Sequence, residues 1–273
     1  MLEKWKRKMM KSEPTTLQQV DIKFDFTTDC RYWDGFWDID ERGLFGYGKN
    51  DPDAMSKTLK QYHQLLWSKP LPNGQELLLE TGGPYDYLNS REGLRLSSDT
   101  IVTSLMHGRM IEVFEEASKR VDWKPWIERT VREMYTIGGS ILFPKRQNNI
   151  NSQRGMNPFI CDRWDLSLEC IRRYYEGITD RERNPIGWVL EIDKPFFDLF
   201  VDFRGYCDFF FLQDCVSGDY KTVKMWIPTT PFTKKYPYPQ TAEQYFAWID
   251  KCLSFVRKRN RRIDEYIKQV TQG

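Results

Sequence analysis

The polar segment 148–155 is the first place in the chain where side-chain type and spacing could do chemistry. It reads Asn-Asn-Ile-Asn-Ser-Gln-Arg-Gly, so amide and guanidinium donors follow one another closely. Donors of this kind bind anions such as a phosphate group, and a guanidinium can do so through two hydrogen bonds. We therefore predict that Asn149 and Asn151 bind a ligand and that Arg154 takes part in catalysis.

A second polar segment, residues 162–175, follows closely and predicts a helix. Asp165, Glu169 and Arg172 stand at positions i, i+4 and i+7, which share one face of a helix. Two carboxylates one turn apart could bind a divalent metal or work as an acid–base pair. Asp165 and Glu169 are accordingly the predicted catalytic carboxylates and the candidate metal ligands, whereas Arg163 and Arg172 are predicted to bind the ligand.

Two functions explain these segments. In the first, the chain acts on a phosphate-bearing ligand, a nucleotide or a nucleic acid, in one polar cleft where Arg154, Asp165, Glu169 and Arg172 converge. In the alternative, the chain is a non-catalytic interaction protein, and pairs such as Glu169–Arg173 and Asp165–Arg172 only hold the fold together. The first function is favoured because every buried polar group of such a cluster must be satisfied, which is costly to build as scaffold alone.

Residues 257–262 place five cations in six positions of the predicted C-terminal helix. Such a run covers every face of a helix, and Arg259 falls on its apolar seam. Arg259 is therefore expected to point inward, where it needs a carboxylate, an anion or backbone carbonyls. The run could contact phosphate or nucleic acid, or it could be a solvated and partly paired face. Arg204, Arg259 and Arg262 complete the predicted ligand-binding residues.

The common catalytic motifs are missing from the sequence. It contains no GxSxG, no GxxxxGK[ST] and no HExxH, which argues against the usual hydrolases, nucleoside triphosphatases and zinc proteases. The glycines between Gly43 and Gly48 lack the flanking strand and helix of a phosphate-binding loop, so packing is their expected role. His63 is expected to be a satisfied, partly buried imidazole, and His107 stands alone beside a glycine.

Several longer runs resemble a known family. Ile-Leu-Phe-Pro at 141–144 is followed by Ile-Asn-x-x-Arg-Gly at 150–155 and by Ile-x-Asp-Arg-Trp-Asp-Leu-Ser-Leu-Glu-Cys-Ile-Arg-Arg-Tyr-Tyr at 160–175. This order is similar to a bacterial family of uncharacterised proteins, the DUF6994 type. Further runs that fit it lie at 62–72, 203–210 and 259–263, so the resemblance covers about residues 20–265. It implies no particular activity.

The composition narrows the class of protein. With 41 Lys and Arg against 39 Asp and Glu, the net charge is +2, so nucleic-acid binding would need a local basic patch. The six cysteines have no CxxC spacing and no nearby histidine, which predicts free thiols and argues against a zinc site. No apolar run reaches the roughly 18 residues that a membrane span needs. We predict a cytoplasmic protein without a membrane partner.

Hydrophobic periodicity predicts one helix-rich α+β domain over residues 13–273, preceded by a basic tail at 1–12. The expected sheet is small and mixed or antiparallel, and the last helix is the longest. Helices are predicted at 51–67, 110–120, 125–135, from Asp162 or Asp165 to about 175, and at 242–270. Strands are predicted at 20–26, 76–80, 140–144 and 221–227, with a further one within 94–106, and residues 145–158 are predicted to be irregular.

Overall fold

The computed structural model describes residues 15–38, 50–81, 88–91, 93–101, 110–146 and 149–272. Over these ranges the chain has the predicted α+β architecture, with a small antiparallel sheet and a long C-terminal helix. The basic start of the chain, the glycines at 43–48, Asn148 and His107 lie outside the described residues. None of the helices within these ranges is long and apolar enough to cross a lipid bilayer.

The helices are named α1 to α10 in chain order. Their bounds are α1 Pro52–Met55, α2 Lys57–Trp67, α3 Ile111–Ala117, α4 Trp123–Met134, α5 Ile150–Met156, α6 Trp164–Tyr175, α7 Gly187–Ile192, α8 Lys194–Phe197, α9 Phe203–Phe209 and α10 Ala242–Gln272. Local capping explains how α1 and α2 begin, since Asp51 accepts a hydrogen bond from Asp53 N and Ser56 accepts one from Leu59 N. Ser56 thereby splits the predicted helix 51–67 into two.

Four antiparallel strands form the sheet in the order β1-β2-β3-β4. They are β1 Leu79–Thr81, β2 Leu88–Ser90, β3 Arg95–Thr100 and β4 Ser140–Pro144. β4 is the predicted strand 140–144, and each of its residues is buried. β2 pairs only with Arg95 and Leu96 of β3, whereas β4 pairs with Leu96 to Thr100. The second half of β3 therefore pairs with β4 and not with β2, and α1 packs against it.

The long helix α10 docks on the body of the protein through its apolar seam, as predicted. Its buried residues include Tyr245, Trp248, Ile249, Cys252, Val256, Arg259 and Ile263. At Gly138, a Cβ atom would lie 2.5 Å from Val256 O and 2.7 Å from Asn260 Oδ1, so only glycine allows α10 to approach this closely. All six cysteines are buried and none of them forms a disulfide bond, as predicted.

Two predicted strands are wrong. Residues 20–26 lie between short 3-10 turns at Leu17–Gln19 and Phe26–Thr28, and residues 221–227 contribute only an isolated bridge between Val223 and Val216. The predicted strand 76–80 is displaced, because β1 begins at Leu79. Alternation of apolar and polar residues reports which side chains are buried, but it does not supply the neighbouring strand that a ladder needs.

The segment 145–158 is also corrected, because most of it forms α5 instead of an irregular loop. Asn149 is the N-cap of this helix and accepts a hydrogen bond from Ser152 N at 3.0 Å. The next helix, α6, begins one residue after Arg163, and neither Asp162 nor Asp165 caps it. Neither aspartate stands at the N-cap position, since Asp162 precedes Arg163 and Asp165 lies within the first turn, and their carboxylates pair with Arg154 and Arg163 respectively.

Candidate functional site

The first carboxylate of α6, Asp165, forms a buried pair with Arg163. Arg163 donates two hydrogen bonds to it, through Nε and Nη2, and the N–H of Trp226 donates a third at 2.7 Å. The guanidinium also donates to Pro237 O at 2.7 Å and to Ile227 O at 3.3 Å. Both side chains of the pair are 0% exposed, so the pair is held by protein groups on all sides.

The second carboxylate of α6, Glu169, is shared by two arginines of the same helix. It accepts hydrogen bonds from Arg172 at 2.8 and 2.9 Å and from Arg173 at 2.8 Å. The expected Glu169–Arg173 pair is therefore present. The expected Asp165–Arg172 pair is not, because seven residues span about 10 Å along a helix, and Arg172 reaches Glu169 and Glu176 instead.

Arg154 reaches the interior from α5 and is fully buried. Its Nε donates to Ser167 Oγ at 2.8 Å, and its terminal nitrogens form ion pairs with Asp99 and Asp162. The guanidinium also lies 5.7 Å from the ring centroid of Phe143 and 5.6 Å from that of Trp164. Arg154 thus touches α6 at Ser167 but, within the described ranges, forms no ion pair with either carboxylate of that helix.

The remaining predicted residues lie in different parts of the molecule. Asn149 is buried at the start of α5, and Asn151 is half-buried in the first turn of that helix. Arg204 is 68% exposed and lies 3.8 Å from Asp208. Arg262 forms an ion pair with Asp214 at 2.6 Å.

Arg259 points inward, as predicted from the seam of α10. It is fully buried and donates to four backbone carbonyls, those of Phe210 (2.8 Å), Ile137 (3.4 Å), Gly138 (3.0 Å) and Ser140 (2.5 Å). Carbonyls are therefore the partners of this side chain, which joins α10 to the start of β4. Burial lowers the pKa of Arg259 to about 9.

Buried polar groups at the end of β3 were not predicted from the sequence. Asp53 of α1 accepts hydrogen bonds from Ser98 Oγ and Thr100 Oγ1, both at 2.6 Å, and has no cationic partner among the described residues. Burial raises the pKa of Asp53 well above its usual value, and the carboxylates of Asp51 and Asp99 raise it further. The sequence feature that could have indicated this group is the run of polar residues at 97–100, which interrupts an otherwise apolar region.

His63 extends this group of hydrogen bonds into the core. Its Nδ1 accepts from Trp67 Nε1 at 2.8 Å, so the proton of the neutral ring is on Nε2, which donates to Ser98 Oγ at 3.0 Å. Burial lowers the pKa of His63 to about 3, and Arg259 contributes to this fall. The imidazole is satisfied, as expected, but it is fully buried and cannot serve as a base near neutral pH.

Asp99 lies on the opposite side of β3 from Ser98 and Thr100 and pairs with Arg154. Its side chain is 22% exposed. Burial raises the pKa of Asp99 to about 7, although the Arg154 guanidinium opposes that rise. In the part of the chain that the structure describes, no group of three or more His, Cys, Asp and Glu side chains is arranged to hold a metal ion.

A basic groove lies between α4 and α10 and has a volume of about 710 Å³. Its cations are Lys23, Arg129, Arg132, Arg257 and Arg261, and its carboxylates are Asp25, Glu128 and Glu133. Arg132 pairs with Asp25, and Arg257 pairs with Glu133. Lys23, Arg129 and Arg261 are exposed and form no ion pair within the described ranges. The groove therefore keeps three unpaired cations against one unpaired carboxylate.

Comparison with known proteins identifies a family but no function. No curated protein and no solved structure matches the chain. The DUF6994 family, described as a family of unknown function, matches residues 20–263. This range contains α1 to α9, the whole sheet and the greater part of α10, including every cation of the groove. The chain belongs to the DUF6994 family.

Proposed function

We propose that this protein binds a small phosphate-bearing ligand, of the nucleotide class, in the groove between α4 and α10. The observation that carries the proposal is the presence of three unpaired cations, Lys23, Arg129 and Arg261, around one groove. The groove as a whole has five cations against three carboxylates, so a bound anion would offset its excess of positive charge. Arginine in particular matches the oxygens of a phosphate group with paired donors.

The two ion-paired arginines of the groove support the same function. Asp25 holds Arg132 at 2.7 Å, and Arg132 also lies 4.8 Å from the ring centroid of Trp33. Glu133 accepts a hydrogen bond of 2.8 Å from Nη2 of Arg257. These contacts restrict the side chains before a ligand arrives, which reduces the entropy that binding must overcome.

The ligand class is the one expected from the sequence, but the proposed site is not at α5 and α6. The guanidinium groups of Arg154 and Arg163 are fully buried and paired with carboxylates, so a phosphate would have to displace those carboxylates to reach them. Desolvated pairs of this kind are expensive to break. We therefore assign the α5–α6 ion pairs to scaffold and the exposed cations of the groove to binding.

A nucleotide fits this groove better than a nucleic acid does. The volume of about 710 Å³ lies within the usual range for sites that bind small molecules. Nucleic-acid proteins usually present a basic surface that extends over many phosphates, whereas this groove also contains Glu128 and the whole chain has a net charge of only +2.

Isothermal titration calorimetry tests the proposal. The full chain is titrated with AMP, ADP, ATP and inorganic tripolyphosphate at two salt concentrations. The double variant Arg129→Gln/Arg261→Gln should weaken binding at least tenfold, because two charge-assisted contacts are lost. The control, Lys57→Gln/Lys221→Gln, removes two exposed charges outside the groove and should change the dissociation constant less than twofold.

Three results would count against the proposal. If none of these compounds binds, the groove is not a phosphate site. If the double variant binds as tightly as the parent chain, the ligand lies elsewhere. If a single-stranded oligonucleotide binds and none of the mononucleotides does, the ligand is a nucleic acid, and the nucleotide proposal is rejected.

A further inference from the structure

A second cavity, separate from the basic groove, contains a lysine that has no acidic partner among the described residues. The cavity has a volume of about 600 Å³, and Lys69, Arg204, Asp208 and Tyr266 are among its lining residues. Lys69 follows the end of α2, Arg204 and Asp208 are on α9, and Tyr266 is on α10. Three distant segments of the chain thus meet around one amino group.

The amino group of Lys69 lies against aromatic rings. Its Nζ is 5.1 Å from the ring centroid of Trp67, 4.5 Å from that of Phe209, 4.0 Å from that of Phe211 and 4.7 Å from that of Tyr266. Nζ donates a hydrogen bond to Phe209 O at 2.6 Å. Across the ranges that the structure covers, no carboxylate lies within ion-pair distance of Nζ.

Two opposing effects act on the charge of this lysine. Burial lowers the pKa of Lys69 to about 7, and the nearby guanidinium of Arg259 contributes to that fall. The faces of the surrounding rings favour the ammonium form. The other charged groups that line the cavity are Arg204, Asp208 and Asp202. Since no ion pair holds Lys69 as a cation, its neutral amine is accessible at a far lower pH than that of a solvated lysine.

We propose that Lys69 is a nucleophilic lysine that forms an imine with an aldehyde or ketone carrying an anionic group, which Arg204 binds. Arg204 suits the second role because it lines the same cavity and is 68% exposed, with a long contact of 3.8 Å to Asp208 and a distance of 4.9 Å to the ring centroid of Tyr220. Desolvation among apolar side chains is one way in which proteins activate a lysine for imine formation.

The chemistry balances without a cofactor. The lone pair of the neutral Nζ attacks the carbonyl carbon, an N–C bond forms, and the π electrons of the carbonyl move to oxygen. The two protons of the amine pass to that oxygen, the C–O bond breaks, and water leaves. The product is a C=N bond to Lys69 and one water molecule, and nothing is oxidised or reduced.

Reductive trapping tests this inference on the full chain. The protein is incubated with glyoxylate and sodium cyanoborohydride between pH 5.5 and 9, and peptide mass spectrometry locates the modified lysines. Lys69 should be modified at least tenfold faster than the exposed Lys221 and Lys268 at pH 7, and its rate should be half-maximal near that pH. Lys69→Arg keeps a cation over the rings and should abolish labelling at this position while the chain stays folded.

The variant Arg204→Gln distinguishes the nucleophilic role of Lys69 from the anion-binding role of Arg204. This variant should slow the labelling of Lys69 by glyoxylate severalfold and leave its labelling by uncharged acetaldehyde unchanged. Labelling of Lys69 no faster than that of Lys221 would show that the lysine is only a structural cation. An equal effect of Arg204→Gln on both carbonyl compounds would overturn the anion-binding role. Neither result depends on the groove between α4 and α10.

Discussion

The helix pair α5–α6 and the groove between α4 and α10 are both rich in arginine, but they use it in opposite ways. At α5–α6, Arg154 and Arg163 are 0% exposed, and each is bound to at least one aspartate. In the groove, Arg129 and Arg261 are exposed and have no such partner within the described residues. A buried guanidinium must have carboxylates or carbonyls as partners, because taking it out of water costs several kcal/mol. An exposed guanidinium stays hydrated and does not need a partner within the protein.

This difference decides where a ligand can act. At α5–α6, an incoming anion has to compete with carboxylates that are already placed and desolvated. In the groove, it replaces only water and relieves repulsion among cations. An arginine in a polar stretch is therefore a poor guide to ligand binding until its burial is known. The comparison predicts that substitutions at α5–α6 affect stability and that substitutions in the groove affect binding.

Asp165→Asn should give the largest effect. The amide nitrogen of the new residue is a donor that faces the donors of Arg163, and the guanidinium is left buried without its counter-charge. We expect a loss of about 3–5 kcal/mol of unfolding free energy, or roughly 10 °C in Tm. Urea denaturation and calorimetry measure the two quantities.

Glu176→Gln on the same helix is the matched control for that substitution. Glu176 is 52% exposed and pairs only with Arg172, so its removal should cost less than about 1 kcal/mol. If Asp165→Asn is no more destabilising than this control, the pair with Arg163 is not scaffold, and the contrast between the two regions fails.

Asp53→Asn should have an intermediate effect that depends on pH. Because the folded state raises the pKa of Asp53 well above its usual value of 3.8, the folded chain binds the proton more tightly than the unfolded chain. The contribution of Asp53 to stability is thus complete below pH 4 and falls as pH rises through the folded pKa. Asparagine imitates the protonated carboxyl, since its Oδ1 can accept from one of the two hydroxyl groups of Ser98 and Thr100 and its Nδ2 can donate to the other. The variant should therefore gain stability relative to the parent chain between pH 5 and pH 8.

Urea denaturation at pH 5 and at pH 8 measures this gain. A suitable comparison is Asp180→Asn, which removes an exposed carboxylate and should show no gain at the higher pH. A difference between Asp53→Asn and the parent chain that stays constant or shrinks as pH rises would mean that Asp53 is ionised in the folded protein.

Arg129→Gln/Arg261→Gln should have the smallest effect on the free protein. Neither side chain has an ion-pair partner to lose, so the unfolding free energy should change by less than about 0.5 kcal/mol per substitution. Thermal unfolding without ligand checks this, and the same variants serve for the binding experiment. A large loss of stability would show that these arginines belong to the scaffold as Arg154 and Arg163 do.

Hydrophobic periodicity gave correct predictions where the pattern of a helix or strand is complete within that element's own residues. The seam of α10 predicted both the helix and the inward direction of Arg259, and the apolar run at 140–144 predicted β4. Periodicity gave wrong predictions where that pattern was incomplete. α5 is short and polar, and its N-cap, Asn149, resembles any loop asparagine. The alternating residues at 20–26 and 221–227 are buried in part but find no neighbouring strand.

The sequence by itself determined the order of most helices, the thiol state of the cysteines and the membership of the DUF6994 family. Only the tertiary structure decided which charged groups meet. Arg154 pairs with Asp99, 55 residues away, and Arg163 donates to Pro237, 74 residues away. The physical reason is that helix and strand signals arise from neighbours along the chain, whereas the partner of a charge is chosen by packing. Burial then decides whether an arginine needs partners inside the protein, as Arg154 and Arg259 do, or remains open to a ligand.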